Sequence, residues 1–203
     1  MQIQFYIDAL QEALVASSWL ERLSVIFGVT QVWLSKNNKV SNYLFGIASI
    51  LLSISVLFDA KLYGDILLHI YYLLMSIYGY WFWLSGKSAL QRPISHADKR
   101  SWYTVVLIAG LGFLILYYFL SQHTDSDVAL LDAIVSSTAW AGMWLLARRQ
   151  IENWILLNLS NAIAIPLLIH KDLYLFALLT CILFVIAIFG YFNWKKLMLN
   201  QNS

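Results

Sequence analysis

The sequence predicts an all-α polytopic membrane protein with seven transmembrane helices, built as two parallel three-helix repeats joined by a linker helix. Three observations carry that prediction. Of 203 residues, 61% are hydrophobic, 16% aromatic and 12% charged, which is more apolar surface than one soluble core can bury. Seven apolar stretches, roughly 19–35, 39–58, 62–84, 101–121, 129–147, 151–169 and 172–194, follow one another, each near the ~20 residues that cross ~30 Å of hydrocarbon. Finally, the chain matches itself at an offset of 111 residues. Asn42 then meets Asn153, Ser49 meets Ser160, Tyr63 meets Tyr174, and the Gly79-Tyr80-x-x-Trp83 ending meets Gly190-Tyr191-x-x-Trp194.

Before the first stretch, Ile3, Ile7, Leu10 and Leu14 recur at helical spacing opposite Asp8, Gln11 and Glu12. Residues 1–17 therefore read as an amphipathic helix on the bilayer surface or against neighbouring helices, and without a basic start or a cleavage pattern they do not resemble a signal peptide. The first stretch is the least apolar, because Glu21 and Arg22 stand near its start and Gln31 lies inside it. Residues 18–85 form the first repeat, 86–128 a loop and linker helix, 129–195 the second repeat, and 196–203 a tail. Equivalent segments are four helices apart, an even number, so the two copies point the same way. Ten of the thirteen Lys and Arg fall on one side of such a chain: Lys36, Lys39, Lys87, Arg92, Lys99, Arg100, Arg148, Arg149, Lys195 and Lys196. The positive-inside rule places that side and the C-terminus in the cytoplasm, and the N-terminus and the 123–127 loop in the periplasm.

Composition also excludes functions. A net charge of +2, confined to short loops, does not suggest nucleic acid. The lone Cys181 permits no intrachain disulfide and no cysteine metal cluster. His69, His96, His123 and His170 are scattered, with no metal spacing and no nucleophile motif, so neither an enzyme nor a cofactor is expected. No chain of carboxylates lies at membrane depth for protons, which favours uniport over coupled transport.

Polar residues at membrane depth mark a substrate path or a helix contact. In the sixth segment Trp154, Asn158 and Asn161 sit at i, i+4 and i+7, one helical face. His69, Tyr72 and Ser76 share a face of the third, and Trp140 and Trp144 a face of the fifth. At ~1.5 Å per residue these groups and Gln31 of the first segment come to a similar depth. Rings and carboxamides in one layer suit a flat heteroaromatic cation, which stacks on the rings while amides bond its edge. Trp81, Trp83, Tyr80, Tyr191 and Trp194, at segment ends, read as an interfacial aromatic belt. Glu21 and Asp132, at related helix ends, read either as a cation-neutralising mouth or as caps and ion pairs. Pro166 leaves one carbonyl of the sixth segment without a donor.

The tracts Ser41-Asn42-Tyr43, Ile77-Tyr78-Gly79-Tyr80-Trp81-Phe82-Trp83 and Glu152-Asn153-Trp154 resemble the PnuC-type family of vitamin transporters, over essentially the whole chain. The resemblance implies a three-plus-one-plus-three fold like an enlarged SWEET sugar transporter, a homotrimer, and facilitated diffusion of nicotinamide riboside, thiamine or riboflavin by alternating access across the bacterial inner membrane. A cytoplasmic vitamin kinase would trap the product. The nicotinamide riboside branch carries Trp-x-x-Trp-x-x-x-Asn in the sixth helix. Trp154 and Asn161 match its ends, but Leu157 replaces the second Trp, and His69 stands where that branch has Gln. These departures point to thiamine, with Trp140 replacing the missing ring of the cage. Nicotinamide riboside transport, or a binding-only vitamin uptake component, is the alternative.

Overall fold

Ser18 starts the first helix by accepting a hydrogen bond from the backbone N–H of Glu21 at 3.2 Å, the Ser-x-x-Glu arrangement that satisfies orphan donors at a helix start. Asp98 caps the fourth helix in the same way, through the Ser101 N–H at 2.7 Å. That bond and the Ser101 hydroxyl hold the Asp98 carboxyl below its ordinary range. The computed structural model describes residues 4, 8, 11, 12, 14–59, 63–85, 92–124, 128–171 and 173–201. Lys61, Lys87, Ile3, Ile7, Leu10 and the Asp125–Asp127 tract lie outside them. Gln4, Asp8, Gln11, Glu12 and residues 14–16 are helical and exposed.

Among the described residues the helices that follow are α1 (Trp19–Lys36), α2 (Asn42–Asp59), α3 (Tyr63–Leu84), α4 (Lys99–His123), α5 (Ala129–Ala147), α6 (Asn153–His170) and α7 (Tyr174–Gln201). Each coincides with one apolar stretch. Among the described residues α4, α5, α6 and Phe176–Gln201 of α7 are long and apolar enough to cross a bilayer, and Asn42–Phe58 is a shorter apolar helix. Helix α7 runs through most of the expected tail. Leu197 and Met198 pack on the core there, and the Gln201 side chain accepts the Ile94 N–H at 3.1 Å. Helix α6 stays helical through Pro166. Large apolar side chains stand exposed along the outer faces of α4 and α7, such as Val106, Leu114, Ile115, Phe189 and Phe192, the inverse of a soluble surface.

Helices α1, α2, α3, α5, α6 and α7 pack pairwise in that order, and α7 closes back on α1, so six helices form a ring; α4 lies against α5. The 111-residue offset reappears in the contacts. Ser49 donates to the Ser24 carbonyl at 2.7 Å, and Ser160 to the Val135 carbonyl at 2.8 Å. Asn42 bonds Lys39 O at 2.7 Å, and Asn153 bonds Gln150 O at 2.6 Å. Asn38 and Arg149, 111 apart, are the two described non-glycine residues with positive φ, 57° and 59°, so α1 and α5 stop by the same left-handed turn. Arg149 then crosses to Asn38, its Nε and Nη2 donating to Oδ1 at 3.1 and 2.7 Å.

The belt reading fails for Trp83 and Trp194, both 0% exposed. Trp83 Nε1 donates to the Leu146 carbonyl at 3.1 Å and Trp194 Nε1 to the Ser35 carbonyl at 2.9 Å, again at positions offset by 111. Each indole satisfies a helix-end carbonyl of the opposite half, so both rings are drawn inside. Trp81 is exposed, as a belt residue is. We expect Trp83→Phe and Trp194→Phe each to cost about 2 kcal/mol, from a lost buried hydrogen bond and a smaller ring. Thermal melts of the two variants should fall together; one neutral variant would show that the two indoles are not equivalent.

The C-terminal ends of α1, α3, α5 and α7 gather at one end, the basic end. Residues 92–98 cross it: Ser95 pairs with the 149–151 backbone. Glu152 holds the His96 ring at 2.7 Å and the Ala97 N–H at 2.9 Å, and Ile94 inserts into a buried cluster with Tyr43, Trp83, Leu146, Trp154 and Trp194. At the other end Asp132 takes Lys171 at 2.6 Å, which favours the ion-pair reading of that acid over a cation-neutralising mouth.

Candidate functional site

The Asn153 side chain starts α6 by bonding Gln150 O, and this registers Trp154 at the inner edge of the basic-end cluster, 2% exposed. Its ring lies edge-on to Trp194 at 5.5 Å and 89°. It fits there because position 190 has no side chain: a Cβ on Gly190 would stand 2.8 Å from the Trp154 ring. Above this floor lies a cavity of about 200 Å³, inside the ring of helices. Gln31, Ser35, Tyr72, Trp154 and Asn161 supply its polar groups, and Leu146, Leu157, Leu183 and Ala187 much of its apolar wall. None of the lining residues is charged, so a cation here would meet ring faces and amide oxygens, not a carboxylate.

The lining inherits the repeat. Val32 and Met143, Ser35 and Leu146, Ile50 and Asn161, and Tyr72 and Leu183 are pairs 111 apart, and both members of each line the cavity. Three pairs join one polar to one apolar residue. The backbone is thus nearly symmetric while the chemistry is not, as an asymmetric ligand requires. Gln31 reaches its place because Gly46 opposite would clash with it if it carried a Cβ, at 2.8 Å.

Four of the nine residues singled out in the sequence therefore meet: Gln31, Tyr72, Trp154 and Asn161. Asn158 does not join them. It lies with Ile155, Ile188, Tyr191 and Phe192 in a separate groove on the other side of Trp154, between α6 and α7. At 3.6 residues per turn, positions 158 and 161 are about 60° apart, one on each side of 154; the wide indole spans both, the carboxamides do not. His69 is outside the lining, its ring edge-on to Tyr72 at 6.0 Å. Ser76 is fully buried.

Trp140 does not replace the missing ring of the cage. It stacks on Tyr71 at 4.7 Å, takes the Tyr71 hydroxyl on its carbonyl at 2.9 Å and faces Gly112 of α4. Trp144 packs on the Val105, Ala141 and Leu145 cluster, beneath the Arg148 guanidinium at 5.7 Å. Helix α4 pulls both rings outward, and nothing in the fifth segment's spacing shows which face α4 will claim. Leu157 lines the cavity at the place of the family's second Trp, and Ser35 lines it without having been singled out in the sequence. The signal for Ser35 was its spacing of four from Gln31.

A family model described as Nicotinamide mononucleotide transporter matches residues 18–196. The nicotinamide riboside transporter PnuC of Neisseria mucosa is 28% identical, over 89% of this chain and 73% of the relative. That of Escherichia coli is 25% identical, over 87% of this chain and 85% of the relative. A crystal structure of the vitamin B3 transporter PnuC superposes with a TM-score of 0.70 at 24% identity, covering 98% of this chain and 92% of that one, which shows the fold.

Proposed function

The chain belongs to the nicotinamide mononucleotide transporter family, and from that premise we propose that this multi-pass membrane transporter carries nicotinamide riboside by facilitated diffusion across the bacterial inner membrane. The observation that carries the proposal is the uncharged cavity inside the helix ring, where Trp154 meets the carboxamides of Asn161 and Gln31. Relatives bearing the name nicotinamide riboside transporter support the substrate. The thiamine reading leaned on His69, Asn158, Asn161 and Trp140, and of these only Asn161 lines the cavity, beside Leu157.

We read helices α1–α3 and α5–α7 as two parallel repeats that rock about the cavity, with α4 as the connector. At about 200 Å³ the space is below the ~300–1,000 Å³ of ordinary ligand pockets, so the halves must part for a nucleoside to enter. The positive-inside rule puts the basic end in the cytoplasm, where Ile94 and the two buried indoles close it in this state. A homotrimer and a trapping cytoplasmic kinase belong to the same proposal.

Titrating the purified protein with nicotinamide riboside and thiamine, read by tryptophan fluorescence, tests the substrate, and uptake into liposomes tests self-sufficiency. Asn161→Leu is expected to weaken nicotinamide riboside binding at least about tenfold, because a polar group of the bound riboside would lose its partner in a dry site. Unchanged affinity in that variant, or a clear preference for thiamine, would overturn the reading.

A further inference from the structure

Two buried donors at the floor of the cavity lack partners: the Ser35 hydroxyl and the Trp154 indole N–H. Both residues line the cavity, and they are 1% and 2% exposed. Buried polar groups in folded proteins are overwhelmingly hydrogen-bonded, so a pair of orphan donors on residues that line one space points to an acceptor that arrives with the ligand. The two are held near each other by a shared neighbour. Trp194 donates to the Ser35 carbonyl at 2.9 Å and sets its ring edge-on to Trp154 at 5.5 Å. Position 146, the repeat equivalent of Ser35, is leucine and also lines the cavity, so the hydroxyl has no counterpart in the other half.

We propose that Ser35 is a specificity-determining residue: its hydroxyl, together with Trp154 Nε1, holds one carbonyl oxygen of the ligand at the cavity floor. On the nicotinamide riboside reading, on which this rests, that oxygen belongs to the carboxamide. The ring then stands toward the basic end against Trp154, and the ribose points up toward Gln31, Tyr72 and Asn161. Thiamine has no carbonyl oxygen, and its acceptors are pyrimidine nitrogens and a hydroxyl, so it offers no carbonyl oxygen for the pair to share.

The test compares wild type and Ser35→Ala in calorimetric titrations with nicotinamide riboside and with N-ribosylpyridinium, which has the same ring charge and ribose but no carboxamide. Ser35→Ala is expected to weaken nicotinamide riboside about tenfold, one lost buried hydrogen bond. It should leave N-ribosylpyridinium and the melting temperature unchanged. Equal nicotinamide riboside affinity in the two proteins overturns the proposal, and so does an equal loss for both ligands, which would mean a packing role. If wild type binds neither riboside, the carrier reading itself fails; if it binds N-ribosylpyridinium as tightly as nicotinamide riboside, only the carbonyl contact fails.

Discussion

Gly190→Ala is expected to remove most ligand binding while leaving the helices formed. The added methyl would stand 2.8 Å from three atoms of the Trp154 ring, closer than carbon atoms approach one another. The ring cannot yield toward Trp194, which lies edge-on against it at 5.5 Å and is itself fully buried. The remaining direction is into the cavity. Over-packing of this kind costs about 1–3 kcal/mol, and a displaced indole both fills the floor and misaims its N–H, so the dissociation constant should rise more than about tenfold. Gly79→Ala is the control, because it sits 111 residues earlier against Tyr43, at 2.5 Å, and Tyr43 is not a lining residue. It should lower the melting temperature and spare affinity. If the two variants affect binding equally, the difference between the two halves of the floor is not what recognises the ligand.

Arg149→Met should produce the largest loss of stability. Arg149 is 2% exposed, and burial pushes its guanidinium down to about 10. It bonds Asn38 Oδ1 twice and lies 4.5 Å over the Trp83 ring. Methionine keeps the stem and loses the fork and the cation–π contact, leaving the Asn38 carboxamide oxygen without those donors, a cost of about 2–3 kcal/mol. That corresponds to a fall of roughly 5–10 °C in the melting temperature for a chain of this size. The sign with pH follows from the depressed value: burial disfavours the charged form in the fold, so above about 10 the folded chain releases a proton that the unfolded chain still holds, and this group leaves stability flat through neutral pH and raises it only beyond that point. Asn38→Ala completes a double-mutant cycle. Additive losses would mean that the two positions act independently and that no latch joins the halves.

The architecture was legible in the sequence to the extent that it depends on local pattern. Each apolar stretch coincides with a helix among the described residues, four of them long and apolar enough to cross a bilayer, because length and hydropathy are properties of contiguous residues. The offset of 111 survived into hydrogen bonds as specific as the Trp83 and Trp194 donations, because a duplicated sequence rebuilds the same turns. The site was legible only in part. Trp154, Asn161, Tyr72 and Gln31 meet as their helical faces and depths suggested. Asn158, Trp140 and Trp144 do not, because a face is defined only relative to a neighbour, and the neighbours of α5 and α6 are chosen by packing.

By itself the sequence determined the membrane class, most helix boundaries to within a turn, the repeat and the basic end, while it stopped α7 about two turns short of Gln201. Each of these rests on composition, periodicity and charge, which the chain carries before it folds. The tertiary structure alone decided that α4 lies against α5 and turns Trp140 away from the cavity, that Trp83 and Trp194 close the floor instead of sitting at the lipid interface, and that Ser35 faces the cavity. The physical reason is that in a bundle whose helices are apolar on nearly every side, hydrophobicity does not choose which face turns inward. Close fits such as Gly190 against Trp154, and helix-end carbonyls that need donors, make that choice, and both come from residues far apart in the chain.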